Sequence, residues 1–448
     1  MLALNEAPMF GFDSIFYFLV MIGVMILIHE LGHFWAARYF DVKVDAFSFG
    51  FGPRLFGWKS GDTDFRVSAI PFGGYVKMSG EQPGDEAASD PLAFLAKPRW
   101  QRLIIAFAGP FMNVILAVGL LTGLYMVKFP KPPDNSISGV VGQVQADSAA
   151  AKAGIREGDR IVALSGQDNP SWQDIMVKIA GHPNQPLTLT LIRDGKRLDF
   201  QLTPSLEPEH GFGIAGMFEH AEIQVSEVEP SMDAARKGLR AGDLILAVEG
   251  QTIRSGDRLV ELIRASKGKP VAVTFSRANE GPRTLSLVPE WKAADGTSNW
   301  RIGVKLQRRI TYVKLGFQEA LVESVRENMN YASLIYNFLA GIFERRMSPR
   351  SLEGPIGIAR ASAEAARNGL ADYLQLMSAI SLNLAIFNLL PIPILDGGVI
   401  LMLLMEMFIR KDLSLQVKET VMKFGFVFLM AVVAFVLYND ISKIFSKG

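Results

Sequence analysis

Between Ile15 and Ile28 the chain carries no charge, and it then meets His29-Glu30-Leu31-Gly32-His33. No other stretch constrains it as much. The apolar run, continued to about residue 36, is long enough to cross a bilayer. There a helix is the structure that satisfies its own backbone. On a helix His29 and His33 stand at i and i+4, one above the other on one face. Two imidazoles so placed can take two corners of a tetrahedral Zn²⁺, with Glu30 beside the metal as a base. The five-residue pattern also occurs by chance in proteins that bind no metal. Ionisable groups at membrane depth are costly and rare, so three together argue for function over an ordinary helix end.

At 448 residues the chain is long enough for about two to four domains. Hydrophobic residues make up 49% and charged residues 20%, an apolar balance for a soluble protein. A net charge of +1 gives no electrostatic case for nucleic acid. Cysteine is absent, which excludes disulfides and thiolate metal sites and leaves His, carboxylate and water for any zinc. The first 13 residues hold Glu6 and Asp13 but no Lys or Arg, so the basic region of a signal peptide is missing and the first apolar run is expected to stay as a span.

Four segments meet the length and apolarity of a span, at about 14–36, 103–127, 376–408 and 424–439. The last is the shortest and also suits a buried or interfacial helix. Arg38, Lys43, Arg54, Lys59, Arg66, Lys77, Lys97, Arg99 and Arg102 lie between the first two spans, and Arg410, Lys411, Lys418 and Lys423 between the last two. This bias puts both connections in the cytoplasm and the long middle region outside. The metal motif then falls toward the cytoplasmic side.

The 37–102 connection alternates in Val44 to Gly52 and again in Phe65 to Ile70, with Gly breaks, and so reads as short strands. Beside a membrane span such strands either dip into the interface or a cavity of the protein, or form a plain cytoplasmic hairpin.

Hydropathy falls from residue 128 to about 305, after a linker at Lys131-Pro132-Pro133-Asp134. Here Gly154-Ile155-Arg156-Glu157-Gly158-Asp159-Arg160-Ile161 returns 84 residues on as Gly238-Leu239-Arg240-Ala241-Gly242-Asp243-Leu244-Ile245. Each copy continues as a short strand, then Gly166-Gln167 or Gly250-Gln251, then a helix and further strands. Two copies suit two domains, not a solenoid. The pattern resembles PDZ domains, which bind extended peptides by strand addition. Spacers or steric covers with empty grooves are the other reading.

Residues 310–375 read as amphipathic helices, with Tyr331 to Phe343 too short to span and suited to the interface. Gly354-Pro355-Ile356-Gly357 is a break.

A catalytic zinc needs a third protein ligand and an open position. Of the five His residues, His182, His210 and His220 lie in the external region. The third ligand is therefore expected to be a membrane carboxylate. Glu406 sits near a span end beside Arg410, where it can pair. Asp396 is deep in an apolar run and without a nearby basic residue, which calls for a partner such as a metal. Pro391 and Pro393 break the preceding helix and open backbone groups to a cavity. Asn383 and Asn388 can bond an unwound peptide there, or serve helix–helix contact.

The HExxH helix, the paired repeats and Asn388-to-Gly398, in this order, resemble the site-two protease family of intramembrane zinc metalloproteases and its bacterial RseP branch, across essentially the whole chain. The resemblance implies that His29, His33 and Asp396 bind one Zn²⁺ and that Glu30 is the catalytic base. It implies that Asn383, Asn388, Pro391 and Pro393 shape the substrate site. Phe49, Gly50 and Gly52, and the Arg66–Lys77 stretch with Gly73 and Gly74, look like the family's membrane-inserted strand and hairpin. Where many members carry His after Asp-Gly-Gly, this chain has Val399. The implied substrates are single-span membrane proteins, namely anti-sigma factors after a first cut and remnant signal peptides, in the envelope stress response at a bacterial inner membrane. The implied partners are those substrates, the lipid bilayer and peptide ligands of the PDZ-like domains.

The expected fold is a multi-domain membrane protein: an α-helical transmembrane core of four spans, a membrane-associated β region and two external PDZ-like α/β domains. Residues 1–127 hold spans one and two with the β-rich connection. Residues 128–210 and 211–305 are the PDZ-like domains, 306–375 a membrane-proximal helical region, and 376–448 spans three and four. A non-enzymatic scaffold would explain the repeats but not His29, Glu30, His33 and Asp396 at membrane depth. A transporter would spread ionisable residues over more spans. Gly-x-Ser-x-Gly is absent, which disfavours a serine hydrolase.

Overall fold

The computed structural model describes residues 12–81, 90–131, 139–207, 212–277, 280–294, 297–309, 311–344 and 354–445. The expected linker at Pro132-Pro133-Asp134, and His210, lie outside them. The chain divides into two units. One combines residues 1–129, 314–336 and 352–448; the other combines 130–313 and 337–351.

The first unit contains α1 (Phe12–Tyr39), β1 (Val44–Ser60), β2 (Thr63–Met78), α2 (Arg99–Val127), the start of α3 (Phe317–Phe343), α4 (Pro355–Asn368), α5 (Leu370–Asn388), α6 (Asp396–Ile409) and α7 (Leu415–Phe445). Among the described residues, four segments are long and apolar enough to cross a membrane: Asp13–Tyr39, Arg99–Val127, Leu370–Asn388 and Leu415–Ser442. The stretch expected as the third span, 376–408, is broken as Pro391 and Pro393 imply: it is two helices, α5 and α6, because neither proline can donate to a helical ladder. One expectation is corrected. The fourth is not a short helix at 424–439 but a 31-residue one, since the charges at either end of its apolar stretch continue the helix instead of ending it. Tyr331–Phe343 is likewise the second half of the 27-residue α3.

The helices are joined by close approaches and small hydroxyls. A Cβ on Gly32 of α1 would lie 2.3 Å from the Ala108 carbonyl oxygen of α2, so the crossing admits only glycine. Ser378 and Ser381 of α5 donate to the Ala117 and Asn113 carbonyls of α2, each at 2.9 Å. Thr122 of α2 bonds Ser324 of α3 at 2.7 Å. Such bonds suit an apolar solvent that gives helices no hydrophobic reason to associate. Met21 and Met25 of α1 pack with Tyr373 and Met377 of α5 and Ala365 of α4.

β1 and β2 fold on each other as more than one hairpin. Residues 44–49 pair both with 74–78 and with 64–67, and residues 54–60 pair with 63–68. The order across this sheet is therefore 54–60, 63–68, 44–49, 74–78. Gly50 and Gly52, at φ 92° and 86°, supply the irregularity that lets β1 turn from one pairing to the next. Phe51, Leu55, Phe56 and Trp58 are exposed. An apolar cleft runs between the α1 face of Phe16, Val20 and Leu27 and the sheet's Phe49, Trp58 and Val67. The sheet thus presents a contiguous exposed apolar surface.

The second unit holds the two repeats. The first is a sheet in the order 167–168, 160–164, 187–193, 196–202 with the helix Trp172–Ala180, whose start is a capping box between Ser171 and Asp174. The second is a sheet in the order 283–287, 271–276, 244–248, 223–228, 304–308 with the helix Gly256–Ala265. Each has its own core, built on Leu164, Ile175 and Leu189 in one and on Val248, Leu259 and Val273 in the other. The repeated Gly-Asp is a structural lock. Asp159 takes the Arg156 N–H and the Arg193 guanidinium, which also reaches the Gly154 carbonyl. Asp243 takes Arg240 N–H and Arg277, which reaches Gly238, at the same offset of 84 residues.

Candidate metal centre

His29 and His33 lie on the inward face of α1, one turn apart and both buried. Their Nε2 atoms are 3.2 Å from each other. Asp396, the first residue of α6, brings Oδ2 to 3.1 Å from His29 Nε2 and Oδ1 to 3.4 Å from His33 Nε2. Among the described residues this trio is a group whose ligand atoms all fall within 4.8 Å. With bonds of 2.0–2.1 Å, the edge of a zinc tetrahedron is about 3.3–3.4 Å. The three donors therefore stand close to the mutual spacing a single tetrahedral Zn²⁺ requires. Two nitrogens and one carboxylate, with no fourth protein ligand in the group among the described residues, leave a corner for water or substrate.

The placement of Asp396 follows from its neighbours. Pro391 and Pro393 interrupt the chain between α5 and α6. Ile394 holds φ at 88°, a left-handed conformation unusual for a β-branched residue, two positions before Asp396. A Cβ on Gly397 would lie 2.2 Å from the Leu390 carbonyl oxygen, and one on Gly398 2.4 Å from that of Ile392. The two glycines thus let α6 begin directly against the broken turn. On its other side α7 crosses at Gly425, whose Cβ would meet Pro393 at 2.4 Å.

α2 supplies the floor. The His33 Nδ1–H donates to the Ile105 carbonyl at 2.8 Å. The Asn113 amide faces His29 Nδ1 at 3.2 Å. A Cβ on Gly109, between them, would collide with His33 Nε2. Asn113 does not stand out in the sequence beside the amides of α5. Its signal is a polar residue in the middle of an apolar span, a position that faces protein when it occurs.

Glu30 points toward the sheet. Its carboxylate has the Val76 backbone as a hydrogen-bond partner, and Gly74 lies so close that a Cβ there would touch Glu30 Cγ at 3.1 Å. Residues 74–78 form an edge of the sheet, so the catalytic candidate lies at a strand paired, among the described residues, on one side. Gly73, at φ 130°, has no room for a side chain beside the Phe51 ring. Asn383 and Asn388 are half-buried on α5, and neither side chain has a hydrogen-bond partner among the described residues. Glu406 is fully buried and bonded to Lys418 at 2.6 Å and to the Leu413 N–H, so it is not part of the trio. Val399 faces a pocket with Arg102 and Glu406. Nearby Asp412 is held below the usual carboxylate range by its ion pair with Arg99. His182 and His220 belong to the second unit.

In that second unit, the strand 304–308 is the edge of its sheet and runs beside the helix Gly256–Ala265. A cavity of about 570 Å³ lies there, lined by Leu259, Ile263, Ile302, Val304 and Leu306. An edge strand beside a helix is the geometry of strand addition.

The chain is similar to known proteins along most of its length. The family model of Peptidase family M50 matches residues 17–432. The regulator of sigma-E protease RseP of Escherichia coli K12 is 32% identical over 95% of this chain and 98% of its own. The regulator of sigma E protease of Salmonella typhi is 31% identical over 95% and 98%. A candidate zinc metalloprotease of Xylella fastidiosa is 32% identical over 96% and 98%. Among solved structures, a PDZ domain of an SdrC-like protein from Listeria monocytogenes, 22% identical, covers 20% of this chain and 90% of that chain at a TM-score of 0.18.

Proposed function

The chain belongs to peptidase family M50, the site-two proteases, and is a zinc metalloprotease; from that premise we propose that it cleaves single-span membrane proteins within the bilayer, at a site made by His29, His33, Asp396 and Glu30. The observation that carries this reading is the convergence of the two imidazoles and one carboxylate on a common point, with Glu30 beside them, among helices fit to cross a membrane.

His29, His33 and Asp396 would hold the zinc. Bound there, zinc acidifies its water to a pKa of about 7 and polarises a carbonyl. Glu30 takes the proton of the attacking water and passes it to the leaving amine. A membrane helix hides its peptide bonds in its own ladder, so the substrate must unwind and its freed N–H and C=O groups must find partners. The 74–78 edge, which ends beside Glu30, is placed to pair with an extended substrate. The free amides of Asn383 and Asn388 are placed to bond what the strand leaves open, where Pro391 and Pro393 keep the backbone unwound.

The positive-inside bias supports a cytoplasmic-side metal site and PDZ-like domains in the periplasm of a bacterial inner membrane. The proposed domains are 1–127, 128–210, 211–305, 306–375 and 376–448. The proposed substrates are anti-sigma factors after a first cut, by likeness to the regulators of sigma-E protease, and remnant signal peptides. The PDZ-like domains would exclude bulky ectodomains, and the 570 Å³ groove could take a peptide. Asp396→Asn is expected to lower the zinc content of the purified protein; an unchanged stoichiometry would remove Asp396 from the ligands. Deleting 130–300 should admit untrimmed substrates, and no gain in their cleavage would end the size-filter reading.

A further inference from the structure

The two histidines of the centre are treated differently by their surroundings. The outward nitrogen of His33 faces a backbone carbonyl, which can only accept, so Nδ1 carries the proton and Nε2 is bare for a metal. The outward nitrogen of His29 faces the amide of Asn113 through Nδ2, a donor. With that donor opposite it, Nδ1 is the bare nitrogen and Nε2 carries the proton, which closes Nε2 to a metal. Meanwhile Asn113 Oδ1 is buried and, among the described residues, without a hydrogen-bond partner. Asn113 itself is completely buried, and its backbone carbonyl is fixed by Ser381. The oxygen and nitrogen of an amide are nearly isosteric, so half a turn of the amide exchanges them in place. That turn gives Oδ1 a partner and gives His29 the acceptor that its partner His33 already has, while Nδ2 takes the place Oδ1 held.

We propose that Asn113 is the positioning residue of His29, accepting the Nδ1–H through Oδ1 and so holding Nε2 bare toward the metal. This rests on the proposed role of His29 as a ligand. Metal-bound imidazoles commonly donate their other N–H to such a partner, which fixes tautomer and ring orientation. Here one partner is a backbone carbonyl, insensitive to substitution, and the other is a side chain. Of the two, only the His29 arm can be tuned by mutation. Ile105, Gly109 and Asn113 are spaced four apart on α2, so one helix face serves both histidines.

The test measures zinc affinity of the full chain in detergent by competition with a chelator, for wild type, His29→Leu, Asn113→Leu and Asn113→Asp. Leu shares the branching of Asn at Cγ but is bulkier, and it neither donates nor accepts; Asp can only accept when ionised, and its recovery separates the hydrogen bond from the added bulk. Asn113→Leu should weaken zinc binding by roughly ten- to a hundredfold, and Asn113→Asp should return it to within a few-fold of wild type. With five His in the chain, ¹⁵N-histidine spectra of the zinc-free protein can report the His29 tautomer, expected as Nδ1–H in wild type and mixed in Asn113→Leu. Wild-type affinity in Asn113→Leu, or equal loss in both variants, would overturn the proposal. Unchanged zinc binding in His29→Leu would instead overturn the ligand assignment beneath it.

Discussion

Gly109 and His33 share a space that admits no methyl group: a Cβ on Gly109 would stand 2.3 Å from His33 Nε2 and 2.9 Å from His29 Cε1. Helix propensity alone favours Ala over Gly by about 1 kcal/mol. The contact reverses that preference at this position. Gly109→Ala is expected to push His33 off the point where the donors meet, lowering zinc affinity by at least about tenfold. Chelator competition on the purified variant checks it.

The same reasoning applied to Gly74 separates the base from the metal. A Cβ there meets Ile26, the Ser48 carbonyl and Glu30 first, at 3.0–3.1 Å, and no imidazole atom is among these nearest three. Gly74→Val should shift Glu30 and the 74–78 edge, and so cut cleavage by on the order of ten- to a hundredfold. Zinc content should stay at the wild-type level. Parallel measurement of metal and turnover decides.

Ile394 stores strain beside Asp396. A β-branched residue at φ 88° costs on the order of 1–2 kcal/mol, which glycine would not. Ile394→Gly should raise the thermal stability of the zinc-free protein while it lowers activity, because the loosened turn holds Asp396 less firmly. A fall in both would mean that Ile394 acts through packing instead.

Asp159 is buried and takes hydrogen bonds from Arg193 and the Arg156 N–H. Asp159→Ala removes charge-assisted bonds from a buried site and should destabilise the first repeat by about 2–4 kcal/mol. Urea-dependent proteolysis of the repeat region reports this, and cleavage of a substrate without an ectodomain should be little changed.

The centre is legible in the sequence because its setting is apolar: charges at 29, 30, 33 and 396 are conspicuous where a membrane helix should have none. The repeats are legible because the Gly-Asp turn recurs in register, although only the structure gives its reason, the lock of Asp159 on Arg193 and of Asp243 on Arg277. What stays hidden depends on contacts between distant segments. Gly32 and Gly109 look like ordinary span glycines until α1 and α2 are seen to cross. The order of the β region depends on bulges at Gly50 and Gly52, which period-two patterning registers only as breaks. Asn113 is masked by the more crowded amides of α5. The break in the third span is legible at Pro391 and Pro393, but where each helix ends is not, because the turn at Pro391 to Leu395 is as apolar as the helices it joins.

The central claim is that Glu30 moves the proton in a hydrolysis occurring at the zinc held by His29, His33 and Asp396. The direct measurement is cleavage of a single-span reporter in proteoliposomes by wild type and Glu30→Gln, with zinc determined on the same samples. The expected result is a wild-type level of zinc in Glu30→Gln and no cleaved reporter. Continued cleavage by that variant, with its zinc in place, would contradict the account.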